Sequence, residues 1–157
     1  MRDILFRGKR LDNGEWVEGF LLKDTSFYGK PENHVYIVNH EHPSGCFGSD
    51  IFIEINPDTV GQYTGLTDKN GKKIFDGDIL KGDEYPYKSS DGTYNYYAEV
   101  VWFDDSPAFG LYTFKSPQSK VRGISSGLSD YIEDFAPCMW EVIGNIHDNP
   151  ELMEATT

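Results

Sequence analysis

The segment from Thr64 to Leu80 reverses direction twice, and it constrains the fold more than any other part of the chain. Asn70-Gly71 favours a two-residue type I′ hairpin turn, because both central positions of that turn need a positive φ. Asp76-Gly77-Asp78 then separates two apolar pairs, Ile74-Phe75 and Ile79-Leu80, by a gap that is too short for an ordinary loop. We expect a bulge or a sharp bend at Gly77, which would let both apolar pairs reach one core.

Further turn signals divide the rest of the chain into short strands. Asp12-Asn13-Gly14 predicts an N-terminal hairpin over residues 3–23, with Trp16 and Phe20 as its large apolar side chains. The aromatic run from Tyr94 to Phe103 predicts a long strand that pairs with residues 109–114. The remaining predictions are strands at 35–38 and 51–55, variable loops within 24–50 and at 81–93, a loop at 116–129, a short helix at 129–135, and a C-terminal strand and turn at 139–152.

Many short strands joined by tight turns predict an all-β fold, mainly β, with at most one or two short helices. Closure into a small barrel, or packing into a sandwich, would leave few strand edges exposed. A chain of 157 residues is long enough for one domain with a real core, and we expect a single domain over residues 1–157.

The chain is strongly acidic, with 26 acidic and 14 basic side chains and a formal net charge of −12 at pH 7. This charge repels nucleic-acid phosphates and anionic membrane surfaces, so direct binding to either is disfavoured. The apolar run that follows Met1-Arg2-Asp3 is too short for a signal peptide, which predicts a cytoplasmic protein. Cys46 and Cys138 lie far apart and form no CxxC pair, in agreement with a reducing compartment.

Three separated stretches are similar to one known family. They are Phe6 to Arg10 with Trp16 and Gly19, the central stretch from Thr59 to Leu80, and the terminal stretch from Val142 to Leu152. Their order and spacing resemble those of the YopX family of phage and prophage proteins over nearly the whole chain. The resemblance implies a mostly β fold with an SH3-like barrel, an origin in a bacterial mobile element, and self-association as one option. It implies no activity.

The stretches that carry this resemblance contain a set of signature residues for which we expect structural roles. Glycine takes φ values that other residues avoid, and short acidic or amide side chains bond to nearby backbone groups, so these residue types fix turns. The signature residues are Trp16, Gly65, Asp68, Gly71, Asp76, Gly77, Asp78, Gly144 and Asn145.

No group of residues meets the requirements of a catalytic, cofactor or metal site. The segment with Asp68, Asn70 and Asp76 lacks the Gly and the Glu that an EF-hand calcium loop needs. A second group of ligand-type residues is close in sequence without the spacing of a structural zinc module, and we interpret it as solvated loop side chains: His34, His40, His42 and Cys46. Nucleophile-elbow and phosphate-loop patterns are also missing. We therefore predict no cofactor, no metal and no enzymatic activity.

Aromatic side chains provide a candidate contact surface. Tyr94, Tyr96 and Tyr97 fall on one predicted strand, whose residues alternate between two faces. One face packs the core, and the other presents its rings to solvent or to a partner. The alternative interpretation is that these rings fill the core of a small barrel.

Two classes of function remain. The preferred one is a protein-interaction or assembly module of a phage or prophage, which binds an unknown protein or a second copy of itself. The alternative is a nucleic-acid-associated module, or an acidic mimic of nucleic acid that acts on a DNA-binding protein. A basic groove would distinguish the alternative, but the lysines near the central segment lie among acidic residues: Lys69, Lys72, Lys73 and Lys81.

Overall fold

The computed structural model describes residues 3–24, 34–38, 51–82, 96–104, 108–115, 125–127 and 140–154. Within these ranges the chain forms eleven strands, one short α-helix and one 3₁₀ turn. The prediction of a mainly β fold is confirmed. The chain divides into two compact units, Met1–Tyr63 and Thr64–Thr157. The single domain over 1–157 stays a prediction.

The first unit is an antiparallel sheet of strands in the order β4-β3-β2-β1-β5. In the β1–β2 hairpin the N–H of Arg10 donates to the carbonyl of Glu15, and Gly14 has a φ of +73°. A 3₁₀ turn, Pro57–Thr59, connects the last two strands. The strands are β1 (Phe6–Lys9), β2 (Trp16–Asp24), β3 (His34–Val38), β4 (Phe52–Glu54) and the beginning of β5 (Gly61–Thr67).

One face of this sheet supplies the core of the first unit. Because side chains alternate along a strand, Val35 and Ile37 of β3 point to the same face and are both buried. The core cluster consists of Val35, Ile37 and Ile55, with Phe6, Val17, Leu21 and Val60 packed against it. A Cβ atom added at Gly19 would lie 2.3 Å from the carbonyl oxygen of Val38, so only glycine lets β2 approach β3 this closely.

The predicted SH3-like barrel is not confirmed. One isolated antiparallel bridge, Arg10↔Ile55, joins the residues that follow β1 and β4. A single bridge is not a ladder of paired residues, and within the described ranges neither sheet closes into a barrel.

The second unit begins within β5, and β6 lies beside this strand. Its remaining strands form an antiparallel sheet in the order β10-β9-β8-β7-β11. The elements are β6 (Lys73–Phe75), β7 (Asp78–Gly82), β8 (Tyr96–Phe103), β9 (Ala108–Lys115), β10 (Ser125–Gly127), β11 (Trp140–Asn145) and the helix α1 (Glu151–Glu154). No helix among the described residues is long and apolar enough to cross a membrane.

A sharp bend between β6 and β7 brings apolar residues into the core of the second unit. Gly77 has a φ of +78°, and its N–H donates to the carbonyl of Val100 at 2.8 Å. Ile74 before the bend and Leu80 after it belong to the same buried cluster, so the predicted bend is confirmed. The other members of the cluster are Ala98, Val100, Phe109, Leu111, Trp140 and Val142.

The β5–β6 hairpin reverses where Asn70-Gly71 predicts, but its turn type is different. The N–H of Gly71 donates to the carbonyl of Asp68 at 2.9 Å, and the N–H of Asp68 donates to the carbonyl of Lys72 at 2.8 Å. Three residues, 69 to 71, therefore form the loop. Its last residue, Gly71, has a φ of +80°. This is a turn followed by a left-handed glycine, so the prediction of a two-residue type I′ turn is wrong.

The remaining strand predictions differ from the structure in two places. The predicted loop at 81–93 begins too early, because Lys81 and Gly82 still pair with β8 and β11 as the end of β7. β8 and β9 pair as predicted, with Val100 opposite Leu111. The predicted loop at 116–129 contains β10, which pairs with β9. The final strand and helical turn are present as β11 and α1. The predicted helix at 129–135 lies outside the described residues.

Candidate interaction surface

The outer face of the first unit's sheet carries a continuous group of apolar side chains, which we call the apolar face. Phe20, Val38 and Phe52 are register partners across β2, β3 and β4. Leu22 and Tyr36 are register partners in the neighbouring row. Phe20 is 51% exposed, Leu22 42% and Phe52 52%. The apolar face therefore comprises Phe20, Leu22, Tyr36, Val38 and Phe52.

The position of the apolar face follows from local sequence. Phe20-Leu21-Leu22 is apolar without interruption, so alternation turns Leu21 toward the core and its two neighbours outward. The runs in β3 and at β4 are also apolar on both faces. Such strands are typical of sheets that are covered on both sides. In the first unit one side packs the core, and the other side exposes large apolar side chains to solvent.

The dimensions of the apolar face suit one element of secondary structure. Neighbouring strands lie about 4.8 Å apart, so Phe20 and Phe52, with β3 between them, are separated by about 10 Å across the strands. A helix with its side chains is about 10 Å wide. The apolar face therefore matches the contact width of a single helix or a pair of strands.

Charged side chains border the apolar face at its β1 end. The Arg7 guanidinium lies 4.7 Å from the centroid of the Trp16 ring, and Lys9 Nζ lies 5.5 Å from the same centroid. Both cations thus contact the negative face of one indole ring. Arg7 is buried despite its charge. The signature residue Trp16 therefore has a packing role with two basic side chains.

At the other end of the apolar face a histidine and a carboxylate form a pair. His34 Nδ1 lies 2.5 Å from Glu54 Oε1, across β3 and β4. The imidazole also stacks on Tyr36, with ring centroids 6.2 Å apart and an interplanar angle of 24°. This arrangement orients Tyr36 at the edge of the apolar face.

The tyrosines predicted as a contact surface are only partly described. Tyr94 lies outside the described residues, and Tyr96 is described only by its backbone in β8. Tyr97 is half-buried, and its ring lies 6.3 Å from that of Phe114. The contact role of these three residues stays a prediction, and the apolar face is a different surface.

Asp68 is a signature residue whose side chain connects two parts of the second unit. Its side chain is buried, at 2% exposure. Oδ1 accepts hydrogen bonds from the backbone N–H groups of Asn70 and Lys72, at 2.8 and 2.9 Å. Oδ2 accepts from the N–H of Val142 on β11 at 3.0 Å. One carboxylate therefore fixes the β5–β6 loop and attaches it to the last strand.

The second group of signature residues builds the corner between β6 and β7. Asp78 is buried, and its Oδ2 accepts a hydrogen bond from the N–H of Phe75 at 2.8 Å. Gly77 accepts at its carbonyl from the N–H of Ile146 at 3.0 Å. Asp76 is half-buried in the same turn. These contacts hold the corner against the end of β11.

The C-terminal signature residues fix the turn before α1. Asn145 is the register partner of Asp78, and its Oδ1 accepts from the N–H groups of His147 and Asp148, both at 2.9 Å. A Cβ atom at Gly144 would lie 2.4 Å from Asn149 Oδ1. The central and terminal stretches of the signature thus meet in the second unit. Gly65, the remaining signature residue, has a φ of +89° in β5.

Comparison with known proteins identifies the family of this chain. A family model described as YopX protein matches residues 5–154. The chain belongs to the YopX family. It is also similar to the protein EF1440 from Enterococcus faecalis, whose crystal structure matches with 24% identity and a TM-score of 0.49, covering 98% of this chain and 99% of that chain. No curated protein matches this YopX-family chain.

Ligand-type residues of this YopX-family chain do not converge in the described ranges. No group of three or more His, Cys, Asp or Glu side chains there could hold a metal ion. Of the residues considered for zinc, His34 pairs with Glu54, and the other three lie outside the described residues. One lysine of the cluster near the central segment is ion-paired, since Lys69 Nζ lies 2.8 Å from Glu141 Oε2.

One acidic side chain of the second sheet has a shifted pKa, and this gives a testable pH dependence. Burial, with the Asp76 carboxylate as the second cause, raises the pKa of Glu99 above its ordinary value of 4.5. The folded state therefore holds this proton more tightly than the unfolded state does. The contribution of Glu99 to stability is complete below pH 4.5 and is lost as the pH rises through the raised pKa.

We expect Glu99→Gln to increase the free energy of unfolding at pH 7 and to leave it nearly unchanged at pH 4. Urea unfolding of both proteins across this pH range measures the difference. Glu151→Gln, at an exposed position of α1, is the matched control and should change the free energy of unfolding at pH 7 by less than about 0.5 kcal/mol. A difference for Glu99→Gln that does not change with pH would contradict the prediction.

The apolar face was not predicted from the sequence, although a signal was present. The sequence predicts Phe20 as a large side chain of the first hairpin and residues 51–55 as a strand. Neither prediction says on which side of the sheet these side chains lie. The strands β2, β3 and β4 each contain consecutive apolar residues. If these strands are known to pair, one can infer that both faces of their sheet are apolar. That inference requires the register, which the sequence does not provide.

Proposed function

We propose that this YopX-family chain is a non-catalytic protein-interaction module that binds its partner through the apolar face. The observation that carries the proposal is the exposure of Phe20, Leu22 and Phe52 in adjacent rows of one sheet. Large contiguous apolar patches are rare on the surfaces of monomeric proteins and mark interaction sites. Aromatic side chains are also enriched where protein interfaces are strongest.

We place this module in the cytoplasm of a bacterium that carries it on a phage or prophage. Membership of the YopX family supports the origin. The proposed role is assembly with another protein and not catalysis, because the contacts of the signature residues are those of turns and strand ends. Direct nucleic-acid binding is not favoured, because the net charge is −12 and Lys69 is paired with Glu141.

The proposal predicts that binding depends on the apolar face while folding does not. Replacement of both Phe20 and Phe52 by serine should remove more than about 2 kcal/mol of binding free energy, because the two rings are large contact residues. It should leave the stability of the chain almost unchanged, since both side chains are about half exposed. Affinity capture from a lysogenic bacterial host, read by mass spectrometry, measures the first effect, and thermal unfolding measures the second.

Leu11→Ser is the matched control, because Leu11 is 59% exposed in the β1–β2 loop, outside the apolar face. The proteins captured by the original chain should also be captured by this control and should be lost with the double variant. Equal recovery of the same proteins by all three chains would exclude the apolar face as the binding site.

A further inference from the structure

We infer that the partner of the apolar face is a cationic protein segment, in which apolar side chains are flanked by lysine or arginine. This inference rests on the proposed function and specifies the chemistry of the partner. Two carboxylates lie on the outer face of the sheet. Glu18 precedes Phe20 by two residues on β2, and Glu54 follows Phe52 by two residues on β4.

The alternation of side chains places both carboxylates on the same side of the sheet as the apolar face. Glu18 is exposed, and the Glu54 side chain is 40% exposed. Glu54 is the register partner of Tyr36, so it lies in one row with the apolar side chains. A partner seated on the apolar face would therefore meet a carboxylate at two of its borders.

The basic groups of the same face have a different environment. Arg7 is the register partner of Glu18, and its guanidinium is buried and lies over the Trp16 ring. Lys9 lies over the same ring. His34 contacts Glu54 and carries a charge only when it is protonated. Among the described residues of this face, Arg7 is therefore withdrawn from solvent, whereas Glu18 and Glu54 next to the apolar residues reach solvent.

Long-range electrostatics favour the same class of partner. A net charge of −12 attracts cationic proteins, repels acidic ones and accelerates encounter with the former. Two copies of this chain would each bring that negative charge to the interface. Repulsion between like charges therefore disfavours a second copy as the occupant, compared with a cationic segment of the same apolar content.

Two designed peptides test the inference directly. The first is a 14-residue amphipathic helix of leucine and lysine, whose width matches the apolar face, and the second replaces every lysine with glutamate. We expect the full chain to bind the lysine peptide and not the glutamate peptide in a fluorescence anisotropy titration. Combined Glu18→Gln and Glu54→Gln substitutions should weaken binding of the lysine peptide by about five-fold, the effect of two partly exposed ion pairs.

A matched variant separates the effect of the two carboxylates beside the apolar face from the effect of a smaller net negative charge on the whole chain. Glu15→Gln combined with Asp58→Asn removes the same two charges from exposed positions of the first unit outside the apolar face. It should weaken binding by less than about two-fold. Equal weakening by both pairs of substitutions, or absence of binding by the lysine peptide, would overturn the inference.

The outcome also distinguishes this inference from the proposed function. If both peptides bind equally and both lose binding in the Phe20→Ser and Phe52→Ser double variant, the apolar face is a binding site but its partner is not cationic. If the lysine peptide binds the double variant as well as the original chain, the apolar face is not the site and the proposed function fails. A concentration-dependent rise in mass without peptide would identify a second copy as the occupant and would overturn the inference.

Discussion

Replacement of Asp68 by alanine should lower the free energy of unfolding of the second unit by about 3 kcal/mol or more, because it leaves three backbone N–H groups without their acceptor. The site is almost fully buried, so water cannot readily take the place of the carboxylate. Urea unfolding at pH 7 measures the loss. Asp104→Ala, at an exposed position after β8, is the control and should change stability by less than about 0.5 kcal/mol.

Substitution of Asp68 by asparagine separates the hydrogen bonds within the loop from the hydrogen bond to β11. Its single carbonyl oxygen can accept the two bonds within the loop, but its amide group is a donor and cannot accept the N–H of Val142. We therefore expect Asp68→Asn to be destabilised by about 2 kcal/mol, less than the alanine variant. Equal stability of the aspartate and asparagine proteins would contradict the proposed connection to β11.

The same residue predicts a loss of stability in acid. Burial by itself would raise the pKa of Asp68, but hydrogen bonds from the N–H groups of Val142, Lys72 and Asn70 outweigh burial and hold the pKa below its ordinary value of 3.8. The stabilisation is present above pH 3.8 and is lost as the pH falls through the lowered pKa. Unfolding measured between pH 5 and pH 2 should show this loss for the original chain and a smaller one for Asp68→Asn.

Replacement of Gly19 by alanine should destabilise the first unit by about 2–3 kcal/mol. The new methyl group would lie 2.3 Å from the carbonyl oxygen of Val38 and 2.9 Å from a methyl carbon of Ile37. A backbone carbonyl in a paired strand cannot rotate away as a flexible side chain can, so β2 and β3 must separate. Denaturant unfolding, followed by far-UV circular dichroism, measures the effect.

Gly14→Ala is the matched control for this prediction. A Cβ atom at Gly14 meets nothing within 4 Å, but the φ of +73° is strained for alanine. We expect this change to cost only about 1 kcal/mol. If alanine at position 19 were as well tolerated as alanine at position 14, the close approach of β2 and β3 would not exist in solution.

Turn residues in the sequence predicted where the chain reverses, but not how. Gly71 ends the β5–β6 reversal, as Asn70-Gly71 predicts. The loop has three residues because Asp68 caps it and the N–H of Lys69 donates to the carbonyl of Trp140. The second of these contacts comes from β11, which is distant in sequence. Local pattern alone therefore could not distinguish this loop from the two-residue turn.

Two further features could not be predicted because they depend on pairing. β10 consists of Ser125, Ser126 and Gly127, which have no apolar pattern, and it forms a strand only because β9 lies beside it. The apolar face depends on the register of β2, β3 and β4. The family resemblance, in contrast, depends only on the order and spacing of three stretches of sequence, so it does not require the pairing of strands.

The position of β11 has a consequence for synthesis of the protein. β11 leaves the ribosome after β7, β8, β9 and β10, yet it pairs with β7, which is made much earlier. Until residues 140–145 have emerged, β7 presents an open edge beside Ile79 and Leu80, which are fully buried in the finished chain. A nascent chain that stalls in this interval is therefore a substrate for chaperones and for strand exchange between neighbouring polysomes.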